Sequence, residues 1–272
     1  KPGQHYEMGG IETDENGHTC IDGLYAAGET ACVSVHGANR LGGNALPELI
    51  VFGARAGKHA AGGDMAEAKI ETGERGDIEY DETELPYQPG EVGIDSGPSG
   101  VAADGGAVTA DADAVVEQTV ETERERVSTL MERDEGVQHS QIRADLQKTM
   151  TQNVNVFREE EGLKQALQDI REIREAYQDV YVDDPSRTFN TDLQQTIETR
   201  NLIDVAETIT LGALVRTEFR GAHWRAEHQE RKDDEWIKHT MLAWNEGQPE
   251  LYYKPVILEG DEETYEPKVR SY

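Results

Sequence analysis

Cysteine is nearly absent from this chain of 272 residues, and that scarcity excludes two common ways of stabilising a fold. The chain holds two cysteines, Cys20 and Cys32, which are too few for a disulfide framework. It contains neither a CxxC pair nor a Cys/His cluster with the spacing of a zinc site. We therefore expect no metal ion and a reducing, cytoplasmic environment.

Basic residues are also scarce relative to acidic ones. The chain has 26 Lys and Arg against 55 Asp and Glu, a formal net charge of −29. Because phosphate contacts need basic side chains, this balance argues against nucleic acid as a partner. It also argues against direct docking on an anionic membrane surface. No apolar run approaches the roughly 20 residues of a membrane-spanning helix.

The acidic residues are spread along most of the chain. Carboxylates at this density keep a surface hydrated, while dissolved salt screens their mutual repulsion. We interpret the pattern as a halophilic adaptation. A disordered acidic protein would carry a similar charge, but periodic apolar residues and three tryptophans argue against disorder of the whole chain.

The amino-terminal zone, residues 1–63, is rich in glycine and alanine and opens on Lys1 rather than methionine. We expect it to continue a longer polypeptide. Asn16 and Gly17 predict a turn between extended stretches, and residues 23–28 predict a short buried strand. Apolar spacing over residues 46–61 predicts a helix packed on a sheet, with Pro47 in its first turn.

Three further zones follow. Residues 64–106 show no sustained periodicity of apolar residues, and we interpret them as an acidic linker or insertion. In residues 107–215, apolar spacing predicts a small antiparallel helical bundle, with helices over residues 111–133, 145–156, 163–177 and 202–215. The closing segment, residues 216–272, predicts a helix around residues 236–244, then strands over residues 251–258 and 264–269.

The candidate chemistry lies between His5 and Leu46, where a histidine, an acid and an arginine stand among glycines. Arg40 offers a planar fork that binds a carboxylate through two hydrogen bonds, and a histidine bound to the same anion would orient it. Glu29 follows the predicted strand, where an acid can bind a ribose hydroxyl. Residues 44–46 open the predicted helix, whose free N–H groups favour an electron-rich ligand atom.

Two other patterns give weaker evidence for a functional site. Residues 53–59 have one residue too few between their glycines for a phosphate loop, and His59 stands where magnesium would need a hydroxyl. The later histidines lack a metal-like spacing, so a structural role is favoured for His223, His228 and His239.

Three strings together resemble a known family. HYEMGGI at residues 5–11, GLYAAGE at 23–29 and VSVHGANRLGGNAL at 33–46 are similar to the flavoprotein subunit of succinate dehydrogenase and fumarate reductase. Further similarity covers the rest of the chain apart from the acidic insertion, in NVNVFR at 153–158, FNTDL at 189–193, RGAHWR at 220–225 and WIKHT at 236–240. The general form of the first three strings is shared with L-aspartate oxidase.

The resemblance implies an α/β plus α fold class. Residues 1–63 would be the carboxyl-terminal part of a Rossmann-like FAD-binding domain, 107–215 a helical bundle domain, and 216–272 a small α+β segment. It also implies FAD as cofactor and succinate or fumarate as substrate. Electrons would pass to an iron–sulfur subunit and quinone, on the inner face of the cell membrane, where anchor subunits hold the complex.

The resemblance also implies roles for matched residues. His5 would bind one carboxylate of the substrate, and Arg40 would hold the other end against the flavin. Glu29 would contact the FAD ribose, and residues Asn44, Ala45 and Leu46 would present the helix start to the flavin. Ala45 stands where the family commonly has serine, which removes a hydroxyl and keeps the backbone donor.

Several family features have no counterpart in these 272 residues. The GxGxxG loop, the histidine that carries flavin covalently and the arginine that shuttles the proton are missing. We therefore expect no catalytic residue here, a need for an amino-terminal half, and no turnover by the isolated chain. Two alternatives stay open: an L-aspartate oxidase-like flavoenzyme, and a non-catalytic acidic helical module with a vestigial flavin segment.

Overall fold

The computed structural model describes residues 5–62, 112–245 and 248–258. They divide into two compact units. The first takes its described residues from 5–62, 217–239 and 254–258, and the second from 112–216, 240–245 and 248–253. The acidic stretch at 64–106 and the strand predicted at 264–269 lie outside the described residues.

The first unit begins with short strands and one long helix. Strand β1 (Ile11–Glu12) runs parallel to β2 (Ala31–Cys32), with Ile11 opposite Ala31 and Glu12 opposite Cys32. A 3-10 turn, Gly28–Thr30, leads directly into β2. Helix α1 (Ala45–Ala60) follows, which confirms the helix predicted over 46–61.

Helix α1 has an apolar side that is exposed. Pro47 lies in its first turn, where a missing N–H breaks no helical bond. Glu48 and Ala56 are its buried residues, whereas four apolar side chains are exposed: Leu46, Leu49, Ile50 and Val51.

Of two further predictions for the amino-terminal zone, the turn is confirmed and the short strand is not. The turn at Asn16 is present, and the backbone N–H of Ala26 donates to the carbonyl of Gly17. The strand predicted at 23–28 is wrong. Tyr25 forms a single antiparallel bridge with His18, and the chain then enters the 3-10 turn. The positive φ of Gly28 interrupts extended geometry there.

The second unit is built mainly from helices. They are α2 (Ala112–Glu132), α3 (His139–Thr149), α4 (Glu160–Tyr177) and α5 (Thr191–Val215). A π-helical turn, Met150–Val154, continues α3. Strands β3 (Val137–Gln138) and β4 (Val180–Tyr181) pair in parallel between them.

The periodic residues of α4 form one buried face of the helix, as predicted. Leu163 and Ile170 are fully buried, and Leu167, Ile173 and Tyr177 nearly so. They pack against α5, which contributes Ile203, Ala206 and Leu214 to the same cores. Helix α5 begins eleven residues before the predicted start, because Asn190 caps it by accepting a hydrogen bond from the Leu193 N–H at 2.8 Å.

The helix predicted around residues 236–244 is wrong. Asp233–Trp236 form one short helical turn, and β5 (Lys238–Asn245) follows and pairs with β6 (Gln248–Pro255). Strand β6 confirms the strand predicted over 251–258. The apolar residues of β5 fit either period over so short a run, and pairing with β6 decides in favour of a strand.

Within the ranges that the structure describes, no helix combines the length and the apolar character that crossing a membrane requires.

Candidate functional site

The pairing of β1 with β2 brings the start of the chain beside the turn that contains Glu29. Gly10 lies immediately before β1 with φ of +129°, and a Cβ there would overlap the carbonyl oxygen of Thr30. The backbone N–H of Glu7 donates to Oε1 of Glu29 at 2.8 Å. Glu29 is exposed, so one of its carboxylate oxygens holds the backbone at Glu7 while the group faces solvent.

The structure brings His5 and Arg40 together. Nη2 of Arg40 lies 3.4 Å from Nδ1 of His5, and Nη1 donates to the carbonyl of Leu41 at 3.4 Å. The Cζ atom of Arg40 lies 4.4 Å from the centre of the Tyr6 ring. Nε of Arg40 is buried and has no hydrogen-bond partner among the residues that the structure describes.

A buried carboxylate lies behind this pair. Glu48, in the first turn of α1, is only 6% exposed. It accepts a hydrogen bond from the Tyr6 hydroxyl at 3.1 Å, and Nε2 of His36 lies 3.7 Å from the same carboxylate oxygen. The Tyr6 and His36 rings meet edge to face at 5.7 Å. Desolvation raises the pKa of the Tyr6 phenol, and the hydrogen bond to Glu48 raises it further.

Sequence analysis did not single out Tyr6, His36 or Glu48. The available signal was position, since Tyr6 follows His5 directly and His36 precedes Arg40 in the same glycine-rich loop. An acid in the first turn of a helix is ordinarily explained by the helix dipole alone. Here Glu48 is also buried and bonded to Tyr6, whose ring contacts Arg40.

The amino-terminal end of α1 is open. Asn44 precedes the helix and makes no side-chain capping bond, and Leu46 is 69% exposed. Asn44 is exposed and Ala45 half-buried. The N–H groups of a helix start carry partial positive charge and suit an electron-rich ligand atom.

The carboxyl-terminal segment contacts the loop that carries Arg40. The backbone N–H of Ala222 donates to the carbonyl of Ala38 at 2.9 Å. Arg220, two residues before Ala222, is itself held in place because it bonds to both oxygens of Glu218 and to Asp233. The hydrogen bond from Arg220 lowers the pKa of the Asp233 carboxyl, and Arg231 lowers it further.

The later histidines lie in local backbone pairings or bonds. His223 bridges Arg220, His228 bridges Arg225, and Nε2 of His239 lies 3.0 Å from the Ser34 hydroxyl. Across residues 5–62, 112–245 and 248–258, no group of three or more His, Cys, Asp or Glu side chains could hold a metal ion.

The arrangement suits an anion that carries a carboxylate. A guanidinium and an imidazole within 3.4 Å of each other can both bind one such anion. Exposed Glu29 can accept hydrogen bonds from ligand hydroxyls, and the open start of α1 adds donors.

Comparison with known families identifies two matches along the sequence. Residues 143–272 match the family described as fumarate reductase flavoprotein C-term, and residues 1–46 match the FAD binding domain family.

Individual relatives agree with these matches. The chain is 38% identical over 261 residues to a fumarate reductase flavoprotein subunit of Mycobacterium tuberculosis, covering 95% of this chain and 38% of that protein. It is 33% identical over 275 residues to a succinate dehydrogenase flavoprotein subunit of Rickettsia bellii, covering 94% and 38%. The chain thus spans about 38% of the length of these curated relatives.

Solved structures show the same similarity in three dimensions. A structure of E. coli quinol fumarate reductase aligns with a TM-score of 0.73 at 31% identity, over 98% of this chain and 38% of that one. Mycobacterium smegmatis Sdh1 in complex with UQ1 aligns with a TM-score of 0.65 at 30% identity, over 93% and 35%.

Proposed function

The chain belongs to the family of fumarate reductase and succinate dehydrogenase flavoprotein subunits, and on this premise we propose that it carries part of a succinate–fumarate oxidoreductase site. Its share is the dicarboxylate-binding pair and one side of the FAD-binding site. The observation that carries the proposal is the proximity of Arg40 and His5 next to the open start of α1.

The residues present fit FAD as the cofactor. Glu29 is exposed and accepts only one described hydrogen bond, so its carboxylate can also accept bonds from ribose hydroxyls. The backbone N–H groups of Ala45 and Leu46 lie at an uncapped helix start and would face acceptor atoms of the flavin. When bound, FAD supplies the acceptor for a hydride from the substrate carbon.

Arg40 and His5 would bind and orient the dicarboxylate. The imidazole would bind the carboxylate at one end of the substrate, and the guanidinium fork would fix the carboxylate at the other end in one plane. The positive charge of Arg40 also stabilises negative charge that develops on the substrate as a proton leaves the neighbouring carbon. We assign no proton transfer to a residue of this chain.

The catalytic cycle would need sequence that corresponds to the remaining length of the relatives. We assign residues 1–63 to an FAD-binding and substrate domain, 64–106 to an acidic linker, 107–215 to a helical bundle domain and 216–272 to a closing segment. Electrons would pass to an iron–sulfur subunit and then to quinone, with anchor subunits holding the assembly at the inner face of the membrane. The naming of quinol and of UQ1 in the aligned structures supports the quinone step.

Titration of the chain with succinate, followed by NMR of the Arg40 Nε–H and the His5 ring, tests the proposal. We expect saturable shifts with succinate and fumarate, weaker shifts with aspartate, and loss of the response in Arg40→Gln. The absence of a saturable response to succinate would overturn the proposal. A stronger response to aspartate would favour an aspartate oxidase-like enzyme, and unchanged titration of Arg40→Ala and His5→Ala would favour a non-catalytic module.

A further inference from the structure

We propose that Tyr6 and Glu48 are positioning residues for Arg40, with Glu48 fixing the Tyr6 ring and the ring face holding the guanidinium. The proposal rests on the proposed function, since it takes Arg40 as the group that binds the dicarboxylate. It adds two residues that act on substrate through Arg40 rather than by touching it.

The burial of Glu48 requires partners inside the first unit. Removing a carboxylate from water is costly unless hydrogen bonds or charges replace its hydration. Tyr6 supplies a hydroxyl donor at 3.1 Å, and His36 lies 3.7 Å away on the same oxygen. Since Glu48 is held by rigid α1, it provides a fixed point from which the Tyr6 hydroxyl is oriented.

The Tyr6 ring is held on two sides. Its hydroxyl is bonded to Glu48, and the His36 ring packs against it with the two planes 84° apart. One ring face is left for Arg40, whose Cζ lies 4.4 Å from the ring centre. A guanidinium over an aromatic face is attracted by the negative charge of the ring face and is held roughly in place by it.

An aromatic support leaves the charge of Arg40 available. Among the described residues, no carboxylate forms an ion pair with Arg40, and its two Nη bonds, to Leu41 and His5, are both 3.4 Å long. A carboxylate in the place of Tyr6 would hold the guanidinium equally well but would compete with an anionic substrate for the same donors. Tyr6 therefore orders Arg40 without neutralising it.

The test measures succinate affinity by NMR titration of the chain in a set of variants. Tyr6→Leu removes the ring, and we expect affinity to fall by roughly three- to tenfold, in line with a half-buried cation–π contact. Tyr6→Phe keeps the ring face, and we expect it to stay within about threefold of the wild type on the same basis. Tyr25→Leu is the matched control, because Tyr25 is also half-buried and hydrogen-bonded, to Nδ1 of His59 at 2.7 Å, without contacting Arg40.

Two further readouts separate positioning from general structure. The Nε–H resonance of Arg40 should carry a ring-current shift that Tyr6→Leu abolishes and that both Tyr6→Phe and Tyr25→Leu retain. Glu48→Gln should weaken succinate binding about two- to fivefold with Tyr6 present and have little effect in the Tyr6→Phe background, since coupled residues give non-additive effects. This cycle keeps the proposal testable if Tyr6→Leu fails to fold.

The outcomes distinguish the two proposals. If wild-type chain binds succinate through Arg40 but Tyr6→Leu matches Tyr25→Leu in affinity and in the Arg40 resonance, the positioning role is wrong and the proposed function stands. Additive effects of Glu48→Gln and Tyr6→Phe would contradict the role of Glu48. If wild-type chain shows no saturable response to succinate, the proposed function itself fails.

Discussion

Arg174 shows at the scale of one residue how this acidic chain uses a positive charge in its interior. It is buried on α4, where it bonds to Asp204 and, at 2.6 Å, to Glu207, both on α5. Its Cζ also lies 5.4 Å from the Trp244 ring. Burial raises the pKa of Glu207, and the Arg174 charge opposes that rise.

Replacement of Arg174 by alanine should strongly destabilise the second unit. The change leaves buried Glu207 without its counter-charge, so we expect a loss of about 3–5 kcal/mol in the free energy of unfolding. The control is Arg124→Ala, which removes the same charge from an exposed pair with Glu121 and should cost less than about 1 kcal/mol. Urea denaturation measures both, and equal losses would contradict the argument.

The loss in Arg174→Ala should depend on pH. Without Arg174, the Glu207 pKa rises further above the usual 4.5 of a glutamate. A carboxyl whose pKa is higher in the folded state contributes stability below its unfolded pKa and loses that contribution as pH rises through its folded pKa. The stability gap between wild type and Arg174→Ala should therefore be smaller near pH 4.5 than at neutral pH, and a gap independent of pH would count against a buried, ionised Glu207.

At the scale of elements, the loop at residues 33–44 contacts a segment nearly two hundred residues away in sequence. Gly221, with φ of +58°, packs so closely on Ala38 that a Cβ would overlap its carbonyl oxygen. The adjoining Ala222 N–H donates to that same oxygen. Because Ala38 precedes Arg40 by two residues, this contact helps to fix the loop that presents the guanidinium.

Gly221→Ala should weaken succinate binding and destabilise the first unit more than Gly37→Ala does. Gly37 has the same φ of +58°, with no atom within 4 Å of a Cβ, so both variants carry the same backbone strain and only one carries the overlap. Calorimetry and the succinate titration measure the difference. Matching results for the two glycines would show that the Ala38 contact does not fix the loop.

At the scale of the whole molecule, the apolar core is unevenly distributed between the two units. Among the described residues, the buried apolar side chains of the first unit are Ala26, Ala56 and Trp236. The second unit holds both hydrophobic clusters, which extend through α3, α4 and α5. The second unit therefore has the greater source of stability by itself.

Hydrogen exchange should reflect this imbalance. We expect the amides of α4 and α5 to exchange more slowly than those of α1, and a protease to cleave within residues 1–63 before residues 111–218. Local helix contacts also favour independent folding of the second unit. Protection of α1 equal to that of α4 would contradict this expectation.

The net charge of −29 leads to a prediction about salt. Screening shortens the range of repulsion from about 10 Å in 0.1 M salt to about 3 Å in 1 M salt. We expect the melting temperature to rise with potassium chloride well into the molar range. Sucrose, which does not screen charge, serves as the control. A melting temperature that is independent of salt concentration but rises with sucrose would refute the halophilic interpretation.

Much of the fold followed from local sequence. The period of Leu163, Ile170 and Tyr177 predicted α4 and its buried face correctly, and the Asn16 turn and α1 were also predicted. The two errors have different causes. Residues 238–245 form a strand because they pair with β6, and residues 23–28 stop short of a strand at the positive φ of Gly28.

The sequence by itself predicted the resemblance to the flavoprotein subunit family, because the strings around His5, Glu29 and Arg40 are specific as residues in order. It also determined the charge of the surface and the helical character of the second unit, since period and charge are local properties. Only the tertiary structure decided that the Arg40 guanidinium lies over the Tyr6 ring rather than beside an acid. It also decided that Glu48, which bonds to Tyr6, is buried. Those facts depend on which side chains the pairing of β1 with β2 and the start of α1 bring within a few ångströms, and spacing along the chain does not encode such distances.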